Sequence, residues 1–256
     1  MTLIDTHAHI YLEEFEQDLS QVISRARQAG VGKIYLPNID EKSLPDLNAL
    51  VAKEPSLFKA MIGLHPTSVK ENYLELYDEL FKNTDLSKYC AIGEIGIDLY
   101  WDKTFVKEQT EIFEKQIELA KNNRLPIVIH ARDSFKEIFD VVDRQNDDML
   151  TGIFHCFTGT IDDAQHIIEY GGFKLGIGGI VTFKNAGLDK TISEVSPEHL
   201  VLETDAPYLA PTPNRGKRNE SAYIREIAIR VAEIYDMSLE EISAITTESA
   251  LKIFEG

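Results

Sequence analysis

The sequence is poor in cysteine, in positive charge and in unbroken hydrophobic length, and each shortage excludes a class of protein. Two cysteines in 256 residues, Cys90 and Cys156, cannot build a disulfide framework, so a reducing compartment is expected and the localisation is read as cytoplasmic. Against 43 Asp and Glu stand only 26 Lys and Arg, a net charge of −17. That balance excludes a broad phosphate-gripping surface of the kind that wraps duplex nucleic acid. No apolar run approaches the roughly 18 residues of a membrane span. The Met-Thr-Leu-Ile-Asp start lacks the basic and then apolar pattern of a secretory signal. No Ser- or Gly-rich linker or low-complexity run divides the chain, so residues 1–256 read as a single domain. What is present is 43% hydrophobic residues, enough for a large core.

Short apolar runs alternate with longer amphipathic stretches. The runs predict eight strands, at Leu3–Ile10, Gly32–Pro37, Phe58–Leu64, Cys90–Ile97, Pro126–Ala131, Gly152–Phe157, Phe173–Ile177 and Leu200–Asp205. Between them the spacing predicts helices near 13–29, 42–53, 71–82, 105–123, 134–146, 160–170, 186–195 and 219–236, with one extra helix at 238–254. In 105–120, for instance, Phe105, Ile112, Phe113, Gln116, Ile117 and Ala120 share one side. Ser238 followed by Glu241 has the spacing of a capping box. Strand–helix alternation implies a parallel α/β fold. Eight units in a length typical of the closed barrel, about 250 residues, favour a (β/α)8 TIM barrel with an extra C-terminal helix. No Gly-x-Gly-x-x-Gly follows the first strand, which argues against a dinucleotide-binding sheet.

The polar interruptions of the apolar runs carry the chemistry. Asp5, His7 and His9 lie in the first strand, His65 ends the third, Glu94 lies in the fourth and His130 ends the fifth. His155 lies in the sixth, and Glu203 and Asp205 in the eighth. In a barrel those strand ends converge on one mouth. Strand alternation puts Asp5, His7 and His9 on one face and sends Cys156, next to His155, into the helix layer as a packing residue. A lone histidine in an apolar run is more often a satisfied core residue than a ligand. Here five of seven histidines fall at strand ends beside carboxylates whose unpaired burial would cost several kcal/mol each. His166 and His199 read as structural or surface residues. Imidazole plus carboxylate without thiolate suits divalent cations, Zn, Mg or Mn among them. The set exceeds what one tetrahedral ion needs, and two ions sharing a carboxylate would use it all.

Six motifs resemble the TatD family of metal-dependent hydrolases, of the amidohydrolase-like superfamily. They are Thr-His-Ala-His at 6–9, Gly-Leu-His-Pro at 63–66, Gly-Glu-Ile-Gly-Ile-Asp at 93–98, Pro-Ile-Val-Ile-His at 126–130, His-Cys-Phe-Thr-Gly at 155–159 and Glu-Thr-Asp-Ala-Pro-Tyr-Leu at 203–209. The resemblance implies a (β/α)8 barrel and deoxyribonuclease activity, with 3′→5′ exonuclease action on single strands in some members. It implies that His7, His9, Glu94 and Asp205 hold one metal and Glu94, His130 and His155 a second, with Glu94 as the bridge. It further implies that Asp205 positions or deprotonates the attacking water and that His65 contacts the scissile phosphate. Glu203 belongs to the motif, with a role as acceptor to a ligating histidine. The family often continues Arg-Gly-Lys-x-Asn-x-Pro, and Arg215 to Asn219 match it, but Glu220 and Ser221 follow where proline is common.

That loop is the densest basic cluster of an acidic chain. Arg215, Lys217 and Arg218 are therefore expected to bind substrate phosphate, as loops after the seventh and eighth barrel strands often do. Arg132 and Lys184 are weaker candidates for the same task. Tyr100 and Trp101 follow the fourth strand and either stack on a base or anchor a packed loop. The expected function is divalent-metal-dependent hydrolysis of phosphodiester bonds at a single-stranded DNA end. RNA, aminoacyl-tRNA or a small ester, amide or lactone remain open as substrates, as does a non-enzymatic metal-binding platform. No obligate protein partner is evident.

Overall fold

The computed structural model describes residues 2–256. Eight parallel strands alternate with helices. The strands are β1 (Leu3–Asp5), β2 (Val31–Pro37), β3 (Phe58–Met61), β4 (Ile92–Asp98), β5 (Ile127–Arg132), β6 (Gly152–Phe154), β7 (Phe173–Ile177) and β8 (Leu200–Leu202). The helices are α1 (Leu19–Gln28), α2 (Leu44–Lys53), α3 (Tyr73–Phe81), α4 (Val106–Asn123), α5 (Phe135–Gln145), α6 (Ile161–Glu169), α7 (Leu188–Ser193), α8 (Ile224–Tyr235) and α9 (Leu239–Phe254). Strands β1 to β3 pair in order, and so do β4 to β8. Isolated parallel bridges join the two ladders at both seams, Ile62 with Ile92 and Ala8 with Ala206. Backbone bonds cross the same seams, from Gly93 N to Ile62 O at 2.9 Å and from Thr6 N to Leu202 O at 3.0 Å. The architecture is the (β/α)8 barrel.

The two faces of the strands feed two apolar layers. Outward residues such as Leu3, Ile34, Ile92, Ile127 and Phe154 join the large core under the helices. Inward residues Ile4, Tyr35, Met61, Val128, Ile153 and Val201 form a separate cluster inside the barrel. That inner cluster is closed at the amino end by α9, whose Ala250 and Ile253 join it and whose Phe254 stacks on Tyr35 at 3.8 Å. Ser238 and Glu241 cap α9 reciprocally, as their spacing predicts. The floor of the barrel is therefore sealed by hydrocarbon, and only the carboxyl end opens. Among the described residues no helix is long and apolar enough to cross a membrane.

Four strands end earlier than expected. β1 stops at Asp5, β3 at Met61, β6 at Phe154 and β8 at Leu202, so His7, His65, His155 and Glu203 all lie one to four residues past a strand end. The alternation rule stops with them. Asp5 does not join the imidazoles; it accepts from Thr204 N at 2.9 Å, Thr204 Oγ1 at 2.7 Å and His7 N at 3.4 Å. Cys156 takes φ +46 and turns to line the cavity at the mouth, not the helix layer. The expected helix at 219–236 begins only at Ile224, after a 3-10 turn at Ser221–Tyr223. The two residues before that turn are held elsewhere. Asn219 donates to Thr204 O and Tyr208 O, both at 2.7 Å, and Glu220 takes three bonds from Arg25 between 2.6 and 3.0 Å.

Candidate metal centre

The mouth holds a cavity of about 710 Å³ lined by His9, His65, Glu94, Asp98, His130, His155 and Asp205, among others. Glu94 is its centre, and its two oxygens face different partners. Oε2 lies 3.1 Å from His7 Nε2 and 3.8 Å from His9 Nε2. Oε1 lies 2.7 Å from His130 Nδ1, 3.2 Å from His155 Nε2 and 3.3 Å from His65 Nε2. Asp205 Oδ1 completes the first side, 3.6 Å from His9 Nε2 and 4.0 Å from His7 Nε2. The structure thus brings His7, His9, Glu94, His130, His155 and Asp205 together, and places His65 beside the second group. Donor atoms of His7, His9 and Glu94, and separately of His65, Glu94 and His130, lie within 4.8 Å of one another. Such a set of imidazoles around a shared carboxylate suits divalent cations.

Four of the five rings are oriented by a partner on their other nitrogen. His155 Nδ1 lies 3.0 Å from Glu203 Oε1, which also accepts from Cys156 N at 2.7 Å. Glu203 is fully buried behind His155 and does not line the cavity, so it acts through that ring. Gly176 makes room for it: a Cβ there would sit 2.3 Å from Glu203 Oε2. His9 Nδ1 lies 3.0 Å from Tyr11 Oη, which donates to Pro37 O at 2.7 Å. The tyrosine oxygen therefore accepts from Nδ1 and leaves the Nε2 lone pair facing the cluster. His130 Nε2 lies 2.9 Å from Asp98 Oδ2, and His65 Nδ1 lies 2.7 Å from Thr67 Oγ1. Among the described residues His7 Nδ1 and Glu203 Oε2 are buried without a partner. A polar centre with such orphans is poor for stability, which is the mark of a site kept for its chemistry.

Asp98, Tyr11, Gln109 and Gln116 have positioning roles that the strand-end pattern passed over. Gln116 Oε1 accepts from Leu64 N at 2.7 Å and its Nε2 donates to Leu64 O at 3.2 Å, fixing the backbone just before His65. Gln109 makes the same pair of bonds to Asp98 N and O, at 2.8 and 3.3 Å. Both glutamines are buried on α4. The available signal was Gln116 on an otherwise apolar helix face.

Electrostatics follow the crowding. Burial pushes His7 well down and His9 down to about 4, with the His155 charge adding to both. Burial works against the charge on Glu94, but His155, His65 and His7 and the bond from His130 outweigh it and hold its carboxyl well below the usual range. His155 is driven the other way: burial opposes its protonation, yet Glu203 and Glu94 raise it well above an ordinary imidazole. Burial first, and then Glu94 and Glu203, raise Asp205 to about 7. Cations entering such a cluster must displace protons from His155 and from His130, which Asp98 and Glu94 raise against burial.

The basic loop after β8 is divided. Arg218 is turned away from the cavity: its two terminal nitrogens each bond Asp18 at 2.8 Å and its guanidinium covers the Phe15 ring. Arg215 packs on the Phe183 ring at 3.7 Å, and Lys217 is exposed, 3.4 Å from Asn214 Oδ1. Among the described residues none of the three lines the cavity, whereas Arg132 does. Arg218, expected to bind substrate phosphate, is engaged in this structure by Asp18, distant in sequence, whose carboxylate matches its geometry.

A closed α/β barrel with imidazoles and carboxylates gathered at its carboxyl end is the architecture of a metal-dependent hydrolase. The particular family follows from comparison with known proteins: residues 4–255 match the family described as TatD related DNase, and the chain belongs to it. It is 39% identical to the metal-dependent hydrolase YabD of Bacillus subtilis, with 98% of each chain covered. It is 31% identical to the metal-dependent hydrolase MG009 of Mycoplasma genitalium, over 99% of each. Among solved structures, YJJV, a TatD homologue from Escherichia coli, superposes with a TM-score of 0.89 at 27% identity, covering 99% of this chain and 98% of that one.

Proposed function

We propose that this protein is a divalent-metal-dependent deoxyribonuclease that trims a single-stranded DNA end, using two cations that share Glu94. The observation that carries the reading is the division of donors by the two Glu94 oxygens: His7 and His9 on one, His65, His130 and His155 on the other. His7, His9, Glu94 and Asp205 would hold one ion, and Glu94, His130 and His155 the second. Such ions, when bound, supply Lewis acidity and lower the pKa of water. The chain's own residues do the rest. Asp205 accepts a proton from the attacking water at its carboxylate as the water oxygen bonds to phosphorus. The ester oxygen leaves and takes its proton from solvent at the mouth. His65 and Arg132 face the phosphate from the cavity wall. The family description supports DNA as the substrate.

The engagement of Arg218 by Asp18 favours a second reading in one respect. With fewer free cations at the rim, a smaller phosphate- or acyl-bearing ester would meet less loss of affinity. End-labelled single-stranded DNA, RNA, aminoacyl-tRNA and small esters, offered to one metal-loaded preparation, separate the two. Mononucleotides released from one DNA end, abolished by chelator and restored by Mg²⁺, Mn²⁺ or Zn²⁺, are expected. Chelator-resistant cleavage, or turnover confined to small esters, would refute the proposal.

A further inference from the structure

Among the described residues Trp101 is the most exposed large apolar side chain, at 69%, and it stands at the rim of the cavity that contains the donor cluster. A loop anchor would be buried; this ring is presented. Its backbone is nonetheless firmly held. Asp98 Oδ1 accepts from Tyr100 N at 3.0 Å and from Trp101 N at 3.1 Å, while Oδ2 of the same carboxylate lies 2.9 Å from His130 Nε2. One side chain therefore holds both the Trp101 backbone and a ring of the metal centre. Arg132 completes the arrangement. Its guanidinium lies 4.1 Å from the Tyr100 ring centre and 5.4 Å from that of Trp101, so it contacts rings and leaves its charge facing the cavity.

An exposed indole beside a guanidinium, at the mouth of a phosphate-cleaving centre, has one matching ligand chemistry: an aromatic base attached to an anionic phosphate. The cavity, at about 710 Å³, is of the size of small-ligand sites, so it accommodates the end of a strand and not a paired helix. Resting on the deoxyribonuclease reading, we propose that Trp101, its backbone held by Asp98 and its ring flanked by Arg132, is a stacking subsite for an unpaired base at the strand end and makes the enzyme selective for single strands. A base within a duplex has its faces covered by its neighbours and must be unstacked before it can lie on the indole. Every base offers a π-face, so the subsite tolerates any sequence.

Trp101 is the only tryptophan in the chain, so its fluorescence reports the contact directly. Stopped-flow mixing of Mg²⁺-loaded enzyme with a single-stranded oligonucleotide should quench the emission before turnover. The same strand with abasic terminal positions should bind, by anisotropy of a dye at its far end, without quenching. Trp101→Ala should reduce the ratio of kcat/KM for the base-bearing over the abasic strand by roughly tenfold. Trp101→Phe should restore most of that ratio. A strand that binds and is cut with no fluorescence change, or an alanine variant that slows both strands equally, would overturn the stacking subsite and leave the nuclease intact. A wild-type enzyme that neither binds nor cuts any strand would overturn the deoxyribonuclease reading itself, and the subsite with it.

Discussion

The floor and the mouth of this barrel are made by the same strands, and on several of them the change from one to the other takes two residues. Val128 lies in the apolar cluster inside the barrel and His130 in the metal centre; Ile153 is followed in the same way by His155, and Val201 by Glu203. At the floor, hydrocarbon meets hydrocarbon and α9 closes the end. At the mouth, five imidazoles crowd one carboxylate, and two buried polar atoms go without partners. The lesson is a division of labour along each strand. Stability comes from the amino-end half, and the carboxyl-end half can hold an arrangement that is poor for stability because the floor compensates for it.

The sharpest break in that comparison is a pair of substitutions, one at each end. Glu94→Ala should lower kcat/KM by about three orders of magnitude or more, since loss of a Lewis-acid site removes several kcal/mol of transition-state stabilisation. The circular-dichroism spectrum should remain that of the wild type. Ile153→Ala should do the reverse, costing ~2–5 kcal/mol in urea unfolding while activity per folded molecule is kept. If the first variant unfolds, or the second loses its chemistry, the division fails.

Smaller effects sharpen the mouth. Tyr11→Phe removes the oxygen that holds His9 Nδ1 and should weaken cation binding by about 10–100-fold, read by calorimetric titration. Loading should also release protons. His155 and His130 are both raised above the ordinary imidazole value in the metal-free cluster, so apparent affinity should climb as pH rises through neutrality. Titrations in two buffers of different ionisation enthalpy measure the protons released; heats that are identical in both would contradict the charge pattern.

The smallest effect lies outside both ends, where Asp18 ties α1 to the loop after β8. Arg218, and behind it Arg25, hold the Asp18 carboxyl at about 2, against about 3.9 for a free side chain. A depressed carboxylate contributes stability that is complete above the unfolded value and is lost as pH falls through the folded one. The stability difference between wild type and Asp18→Asn should therefore be level above about pH 4 and shrink between about 4 and 2. For so exposed a pair it should stay within ~1 kcal/mol. A difference that grows on acidification would refute the assignment.

How much of this was legible in the sequence depended on distance along the chain. The barrel was legible because apolar runs and helical periodicity are local. His7, His9, Glu94, His130, His155 and Asp205 stood out as polar groups in apolar runs, and the fold gathers them. Asp5 and Cys156 were misdirected because alternation holds only while the strand lasts, and β1 and β6 end at Asp5 and Phe154. The ion pair of Arg218 with Asp18 was not legible because the two lie 200 residues apart. Asp98 belongs to a motif that does not show its role, since what it holds, His130 on one side and the Trp101 backbone on the other, is settled only in three dimensions.

The shared-carboxylate reading is tested most directly by counting cations. Chelator-treated protein, reloaded with Zn²⁺ or Mn²⁺ and freed of excess ion, should carry two ions per chain by elemental analysis, and Glu94→Ala at most one. A fully active wild-type chain with a single ion, or a Glu94→Ala variant that still retains two, would contradict it.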